Sequence, residues 1–467
     1  MTKLTDTTAR DKIGLFRLVA VTLAFVMSIR NLPMLAEMGW LQVFYMVFAA
    51  IVFQVPLALI SAELGAAFKS EGGAYEWIKL GLGKPWAFVA AWMFWSQMNV
   101  GMVMVTTFIA SLLGYAIDPS LANQPLFVVI ISLTCIWLLT WTNLRGLRLS
   151  STVSTVAYIV GVFIPFCLII GMCIWWFISG NPSQMPAFSM DAILPPLDTI
   201  DTWIYFSGVI LLYSGSEAVS VHAPQTRNVQ RNFPLAMLVA TLFLVGLNII
   251  GAFAIQMVIP SDEIHLSSGI MQTFSFFFNE LEIGFITPYV AGMIAFGAMG
   301  QFSTWLLGPS KSMLVVVKDK SMPAWFGKTN KHGLPLVFML IQAIILSSVT
   351  LIYLFVPSVN EGFFLILILT VLLYAVVYIL IFLSAIVLRL KYPMVERPYR
   401  VSKGNGGLCF LSAVGILSML FCIGISLIPP ASWAGEKTPL YLLIELGGLC
   451  IFILIPFLFI RYMRRKR

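Results

Sequence analysis

Charge is what this sequence has least of. Only 10% of its 467 residues are Asp, Glu, Lys or Arg, while 60% are apolar. A water-soluble domain carries about 25% charged residues, so this chain cannot cover a water-facing surface. Histidine is scarce too. His222, His265 and His332 are the only three, and none stands at nucleophile–base or ligand spacing from a Cys or carboxylate. That argues against an enzyme built inside a membrane, which needs such a constellation. The six cysteines, at 135, 167, 173, 409, 422 and 450, fall in apolar runs without CxxC spacing and read as small packing residues. No metal or cofactor is expected. No polar connection is long enough for a soluble domain. A cleavable signal peptide is not expected either: residues 1–12 are polar, and the apolar run after them is too long for a signal h-region.

What is there, from end to end, is a series of apolar runs of membrane-spanning length, about 20 residues for a helix. The reading is an all-α integral membrane protein with twelve spans, at 13–38, 41–66, 85–116, 125–144, 152–179, 200–222, 234–258, 283–316, 335–356, 361–391, 407–429 and 439–463. The polar connections alternate in sign. One set carries Lys69, Lys79, Lys84, Arg145, Arg148, Arg227, Arg231, Lys318, Lys320, Lys328, Lys331, Arg397, Arg400 and Lys403, with Lys3, Arg10, Lys12 and the terminal RYMRRKR. The other carries Asp118, Asp191, Asp198, Asp201, Asp262, Glu263, Glu280, Glu361 and Glu436, with Lys437 its only cation. By the positive-inside rule the basic side is cytoplasmic, with both termini there. The net charge of +8 is thus a topology signal, and no nucleic-acid partner is expected. The segment 261–280 is expected to form a short external helix beginning at Asp262 and Glu263.

Two spans carry residues that a lipid-buried helix avoids. FVMSIRNLPMLA (25–36) places Arg30, Asn31 and Pro33 deep in the first run. An arginine at a helix centre costs about 2.5–3.5 kcal/mol on insertion scales. In FSGVILLYSGSEAVSVHAP (206–224), Tyr213-Ser214-Gly215-Ser216-Glu217 weakens the sixth run and adds the other deep charge. Pro33 alone also suits a plain kink, and Arg30 also suits a structural pair with Glu217. Two interruptions five spans apart fit inverted repeats, with discontinuous helices lining a solute site near the bilayer midplane. The freed N–H groups of such a break favour a carboxylate and the carbonyl end favours an ammonium group. Arg30 adds a charge that suits a side-chain carboxylate. For Glu217 the leading role is holding the unwound segment together. Glu37 and Glu445, near span ends, are expected to be solvated.

These stretches resemble the amino acid–polyamine–organocation superfamily. Ala62-Glu63-Leu64 with Lys69-Ser70-Glu71-Gly72-Gly73-Ala74-Tyr75 and Trp77 looks like its loop after the second helix. Ser214-Gly215-Ser216-Glu217-Ala218 looks like its sixth-helix break, and Asn228 to Pro234 like its turn before the seventh helix. The region 304–335, FPLAM (233–237), 258–274 and LTVLLYAVVY (369–378) are similar to bacterial glutamate/GABA antiporters of acid resistance. The resemblance implies a core of ten helices over 13–391, in repeats of about 13–179 and 200–391, with discontinuous helices 1 and 6. Helices 11 and 12 (407–463) lie outside it, and a basic cytoplasmic end (464–467) follows. It implies alternating access in a bacterial inner membrane, as monomer or homodimer. By position, Met27, Ser28 and Tyr213 to Ser216 would offer backbone to substrate. Trp305 would flank the pocket, with Tyr374 and Tyr378 near the pathway.

Three departures stand out. Val26-Met27-Ser28 replaces the glycine-rich first-helix signature, Arg30 stands where the acid-resistance antiporters have an aromatic, and Gln301 stands where a carboxylate is expected. The last two shift the pocket toward anions, such as anionic glutamate or aspartate, and away from a cationic partner such as protonated GABA. The chain also ends soon after helix 12, so gating by a cytoplasmic tail is not expected. The expected function is exchange of an acidic amino acid for GABA or another amino acid. A proton- or ion-coupled symporter and a non-transporting amino-acid sensor on the same fold remain alternatives. No intramembrane carboxylate beyond Glu217 offers itself as a proton carrier.

Overall fold

The structure is a computed structural model describing residues 13–68, 73–146, 156–196 and 200–465. Residues 1–12, Lys69 to Gly72, Arg148, Asp198 and residues 466–467, all invoked above, lie outside that description. Among the described residues the architecture is helical, without strands; only the isolated bridges Ile13–Thr226 and Thr329–Pro335 occur. This follows from the solvent: in hydrocarbon every backbone N–H and C=O must be satisfied within its own segment.

Among the described residues, ten helices are long and apolar enough to cross a membrane. The first expected span is not among them, because it is broken. It comprises α1 (Leu15–Val26), an extended link at Met27 and Ser28, a 3₁₀ turn at Ile29–Asn31, and α2 (Leu32–Glu37). Pro33 sits in the first turn of α2, where no intrahelical N–H bond is lost. Next come α3 (Leu41–Ala67), α4 (Ala74–Leu82), α5 (Lys84–Ile117), α6 (Pro125–Leu144) and α7 (Val156–Ile178). The sixth expected span is broken as well. Its helix α8 (Ile204–Tyr213) ends where Ser214 turns extended and Gly215 takes φ +97°, and a 3₁₀ helix, Ser216–Gln225, follows. Glycine is the residue for that φ, which a Cβ would oppose.

Beyond it run α9 (Val229–Gln256), α10 (Gly269–Glu280), α11 (Thr287–Lys318), α12 (Leu336–Thr350), α13 (Val359–Lys391), α14 (Gly406–Ser426) and α15 (Thr438–Arg465). The loop helix α10 starts at Gly269, not at Asp262. Ser261–Glu263 form a separate 3₁₀ turn, and Ile264 is extended.

The core is built around α5, which packs along both α11 and α13. The apolar window of α13 is 83% buried and that of α15 only 17%, so α13 is a central pillar and α15 a peripheral, largely lipid-facing one. Gly161, in a π turn of α7, meets Gly297 of α11 so closely that a Cβ on either would collide with the other's backbone. Close backbone approach through small residues is how membrane helices pack without a hydrophobic driving force.

A second π turn, Ala50–Gln54 in α3, re-aims Gln54. Its Oε1 accepts from the Ser216 hydroxyl at 3.0 Å, and its Nε2 donates to Thr241 Oγ1 at 3.3 Å. The π turn thereby anchors the unwound segment of the sixth span to α9.

Two clusters brace the face carrying the basic connections. Glu63, buried near the end of α3, pairs with Arg389 and with Arg397, the latter at 3.2 Å, and accepts the Val401 N–H at 2.8 Å. Arg389 also donates to the carbonyls of Ser402 and Gly404 and to Asn405 Oδ1. Outside the spans, Lys79 of α4 pairs with Asp319 at 2.6 Å, and the Tyr75 hydroxyl donates to the same carboxylate at 2.7 Å. Partial burial opposes the Asp319 charge, but Lys79 and Tyr75 outweigh it and hold its pKa below the usual carboxylate value. The bond from Asp319 raises that of Lys79.

Candidate functional site

A chamber of about 310 Å³ lies between the two breaks. Ser28, Arg30 and Asn31 line it from the first break, and Leu211, Leu212, Ser214 and Gly215 from the sixth. α5 contributes Phe94, Gln97, Met98, Gly101 and Met104; α11 contributes Gln301, Thr304 and Trp305; α13 contributes Thr370 and Tyr374. Among the described residues, Arg30 is the only charged one in the lining.

Local geometry explains why Arg30 faces inward. The extended link at Met27 and Ser28 turns the chain, and the 3₁₀ turn presents Arg30 off the axis of both half-helices. Its Nε donates to Asn31 Oδ1 at a long 3.5 Å. Its guanidinium carbon lies 5.8 Å from the Trp305 ring centroid, within cation–π range. The buried Nη1 has no hydrogen-bond partner. Arg30 does not pair with Glu217, the structural alternative raised by the sequence.

Glu217 is engaged elsewhere. Its Oε2 accepts from the Gly215 N–H at 3.1 Å and from the Tyr378 hydroxyl at 3.1 Å, while the Gly215 N–H also donates to Tyr378 Oη at 3.0 Å. The carboxylate thereby closes the unwound turn and ties it to α13. Tyr374 and Tyr378 stack with centroids 5.2 Å apart and planes 3° from parallel. Glu217 lines a second cavity of about 230 Å³, with Tyr75 and Ile78 of α4. That cavity shares Phe94, Pro309 and Ser312 with the chamber. The two lie in sequence from the breaks toward the face with the basic connections.

Of the expected site residues, the chamber gathers Ser28, Arg30, Ser214, Gly215, Gln301, Trp305 and Tyr374. Met27, Tyr213, Ser216 and Tyr378 stand behind the wall. The Tyr213 hydroxyl donates to the Met46 carbonyl at 2.8 Å, and the Ser216 hydroxyl is held by Gln54. Sequence reasoning noted Asn31 only as a polar residue in the first break and passed over Gln97, Thr304 and Thr370. Gln97 carried a signal, since it sits with Ser96 and Asn99 in the middle of an apolar span, all three buried. Its Nε2 is a second donor without a partner.

Two other expectations need correction. Glu445 is fully buried, and neither carboxylate oxygen has a partner. Its place eight residues into α15 looked close to an end, but the helix turns that position inward. Glu445 is thus also a deep carboxylate beyond Glu217, which the sequence reading did not count, whereas Glu63, equally deep, is paired by its two arginines as a structural ion.

A chamber between two broken helices is the arrangement that amino-acid transporters use. The amino acid permease family model matches residues 13–454, nearly the whole chain. The chain belongs to the amino acid permease family. It is 32% identical over 455 residues to a glutamate/gamma-aminobutyrate antiporter of Lactococcus lactis, covering 96% of this chain and 90% of that one. An uncharacterized transporter of Legionella pneumophila is 31% identical over 451 residues, with 97% of each chain covered. A probable agmatine/putrescine antiporter of Lactococcus lactis is 22% identical over 429 residues, covering 90% and 89%. This permease is thus a multi-pass membrane transporter rather than an enzyme, and its substrates are small molecules.

Proposed function

We propose that the chain exchanges glutamate or a related acidic amino acid for GABA or another amino acid by alternating access between the two breaks. The observation that carries this is Arg30: the single charge on the chamber wall among the described residues, deeply buried, with an unpartnered Nη1. Burying an arginine without a carboxylate is expensive. A substrate side-chain carboxylate arriving between Arg30 and Gln97 offsets that cost with charge-assisted bonds. The substrate's α-carboxylate would meet backbone N–H groups at the breaks, and Trp305 would close the pocket beside Arg30. Glu217 and Tyr378 would hold the sixth break, with Met27, Tyr213 and Ser216 as its supports.

The relatedness to glutamate/gamma-aminobutyrate antiporters supports exchange. The lone positive charge favours a neutral or acidic counter-substrate over a cationic one. Twelve crossings, counting the two broken spans, an inverted-repeat core, a bacterial inner membrane and cytoplasmic termini belong to the same reading, as does a part in acid resistance.

The test is uptake of radiolabelled glutamate into proteoliposomes, empty or preloaded with glutamate, aspartate, glutamine or GABA. Uptake is expected only into preloaded vesicles. Arg30→Ala is expected to lose acidic substrates by about 10–100-fold, the worth of one or two charge-assisted bonds, while keeping neutral ones. Equal ion-driven uptake into empty vesicles would establish coupled symport instead.

A further inference from the structure

On the opposite face, toward the acidic connections, lies a cavity of about 260 Å³ that the chamber does not reach. It is bounded by the end of the first broken span, the start of the sixth, the start of α13 and the turn between α14 and α15. Glu37 and Glu361 line it from opposite elements, and among the described residues they are its only charged ones. The buried Glu361 Oε2 has no hydrogen-bond partner. Trp433, only 2% exposed, also lines the cavity, and its indole Nε1 has no partner either. Lys437 Nζ, 5.7 Å from the Trp433 ring centroid, lies over that ring and is not part of the lining. Asn360 fixes the rim: its Oδ1 accepts the Leu266 N–H at 2.7 Å and ties the loop before α10 to α13.

Two carboxylates with one unsatisfied oxygen call for a cation, and an unsatisfied indole N–H calls for an acceptor. Each is costly to leave unmade. One ligand meets both demands if it carries an ammonium and a carboxylate.

We propose that this cavity is a second amino-acid site, separate from the chamber. It takes a small amino acid with its ammonium group between Glu37 and Glu361 and its carboxylate at the Trp433 indole. Its charge is opposite to that of the chamber. It therefore selects for the amine end of a substrate, while Arg30 selects for the acid end. The site does not depend on the exchange reading, because occupancy needs no turnover.

Equilibrium binding of radiolabelled GABA to the full chain in lipid nanodiscs tests it, with propylammonium as a competitor that lacks the carboxylate. Glu361→Gln is expected to weaken GABA binding about tenfold, and Trp433→Phe about threefold, the worth of one charged and one neutral contact. Glu361→Gln leaves intact the Glu361 N–H bond to Ser358 Oγ that caps α13, so folding is spared. Propylammonium should compete, with an affinity that Trp433→Phe leaves unchanged. GABA held by the chamber is a separate binding component that Glu361→Gln and Trp433→Phe should leave unchanged. GABA binding with no component weakened by either Glu361→Gln or Trp433→Phe would overturn the proposal. The exchange reading fails or stands on flux alone, so the two outcomes are read separately.

Discussion

Arg30 and Arg389 are buried almost equally, 6% and 5% exposed, and their partners could hardly differ more. Arg389 meets the Glu63 carboxylate, two backbone carbonyls and the Asn405 side chain, so its guanidinium is surrounded by acceptors. Arg30 has one long bond to its neighbour Asn31, an aromatic face and an empty-handed Nη1. An ion that finds all its partners inside the chain belongs to the fold. One that faces a chamber with a free N–H is held for a partner from outside, which is the role proposed for Arg30. Burial alone does not separate the two; the accounting of hydrogen bonds does.

The comparison is sharpest under paired substitutions. Arg389→Met leaves Glu63 with Arg397 alone and is expected to cost about 3–5 kcal/mol, the penalty for stranding part of a buried ion cluster. Thermal unfolding of the protein in detergent measures it, as a large drop in midpoint or a loss of monodisperse protein. Arg30→Met strands no carboxylate and removes an uncompensated charge, so stability should stay within about 1 kcal/mol of the parent or rise. A fall as deep as that of Arg389→Met would make Arg30 structural and remove the contrast.

The smallest effect is expected at the Lys79–Asp319–Tyr75 latch, a partly exposed pair worth about 0.2–1 kcal/mol. The Asp319 pKa is lowered, so its contribution is complete above the ordinary Asp value of about 3.9 and lost on further acidification. The Lys79 pKa is raised, so its contribution is complete below about 10.4 and lost above that. Amide exchange over Ala74–Leu82, corrected for its intrinsic pH dependence, should therefore be flat from about pH 5 to 9. Asp319→Asn should speed it by no more than about fivefold, as that energy allows. A strong pH dependence inside that window would assign the latch to other groups.

Much of the architecture was legible because it is local. Hydropathy over about 20 residues marks a span, and a proline or a Ser-Gly-Ser run marks a break. Pro33 and Gly215 fell where the backbone required them, in the first turn of α2 and at a positive φ. The α10 start was misplaced because acidic residues also suit an isolated turn, and Asp262 and Glu263 sit in one. Glu445 was misjudged because distance from a helix end says nothing about which face is covered. Gln54 gave no sign of its part, since a π turn has no marker in the sequence that would reveal its new direction.

By itself, then, the sequence determined the solvent this protein folds in, the lengths of its helices and the two places where they fail, because each depends on residues a few positions apart. The tertiary structure alone decided which buried polar atoms meet a partner. Glu63 and Arg389 are 326 residues apart, and Glu217 and Tyr378 are 161 apart. Only packing brings such groups within bonding distance, and only packing left the Arg30 Nη1 without a partner.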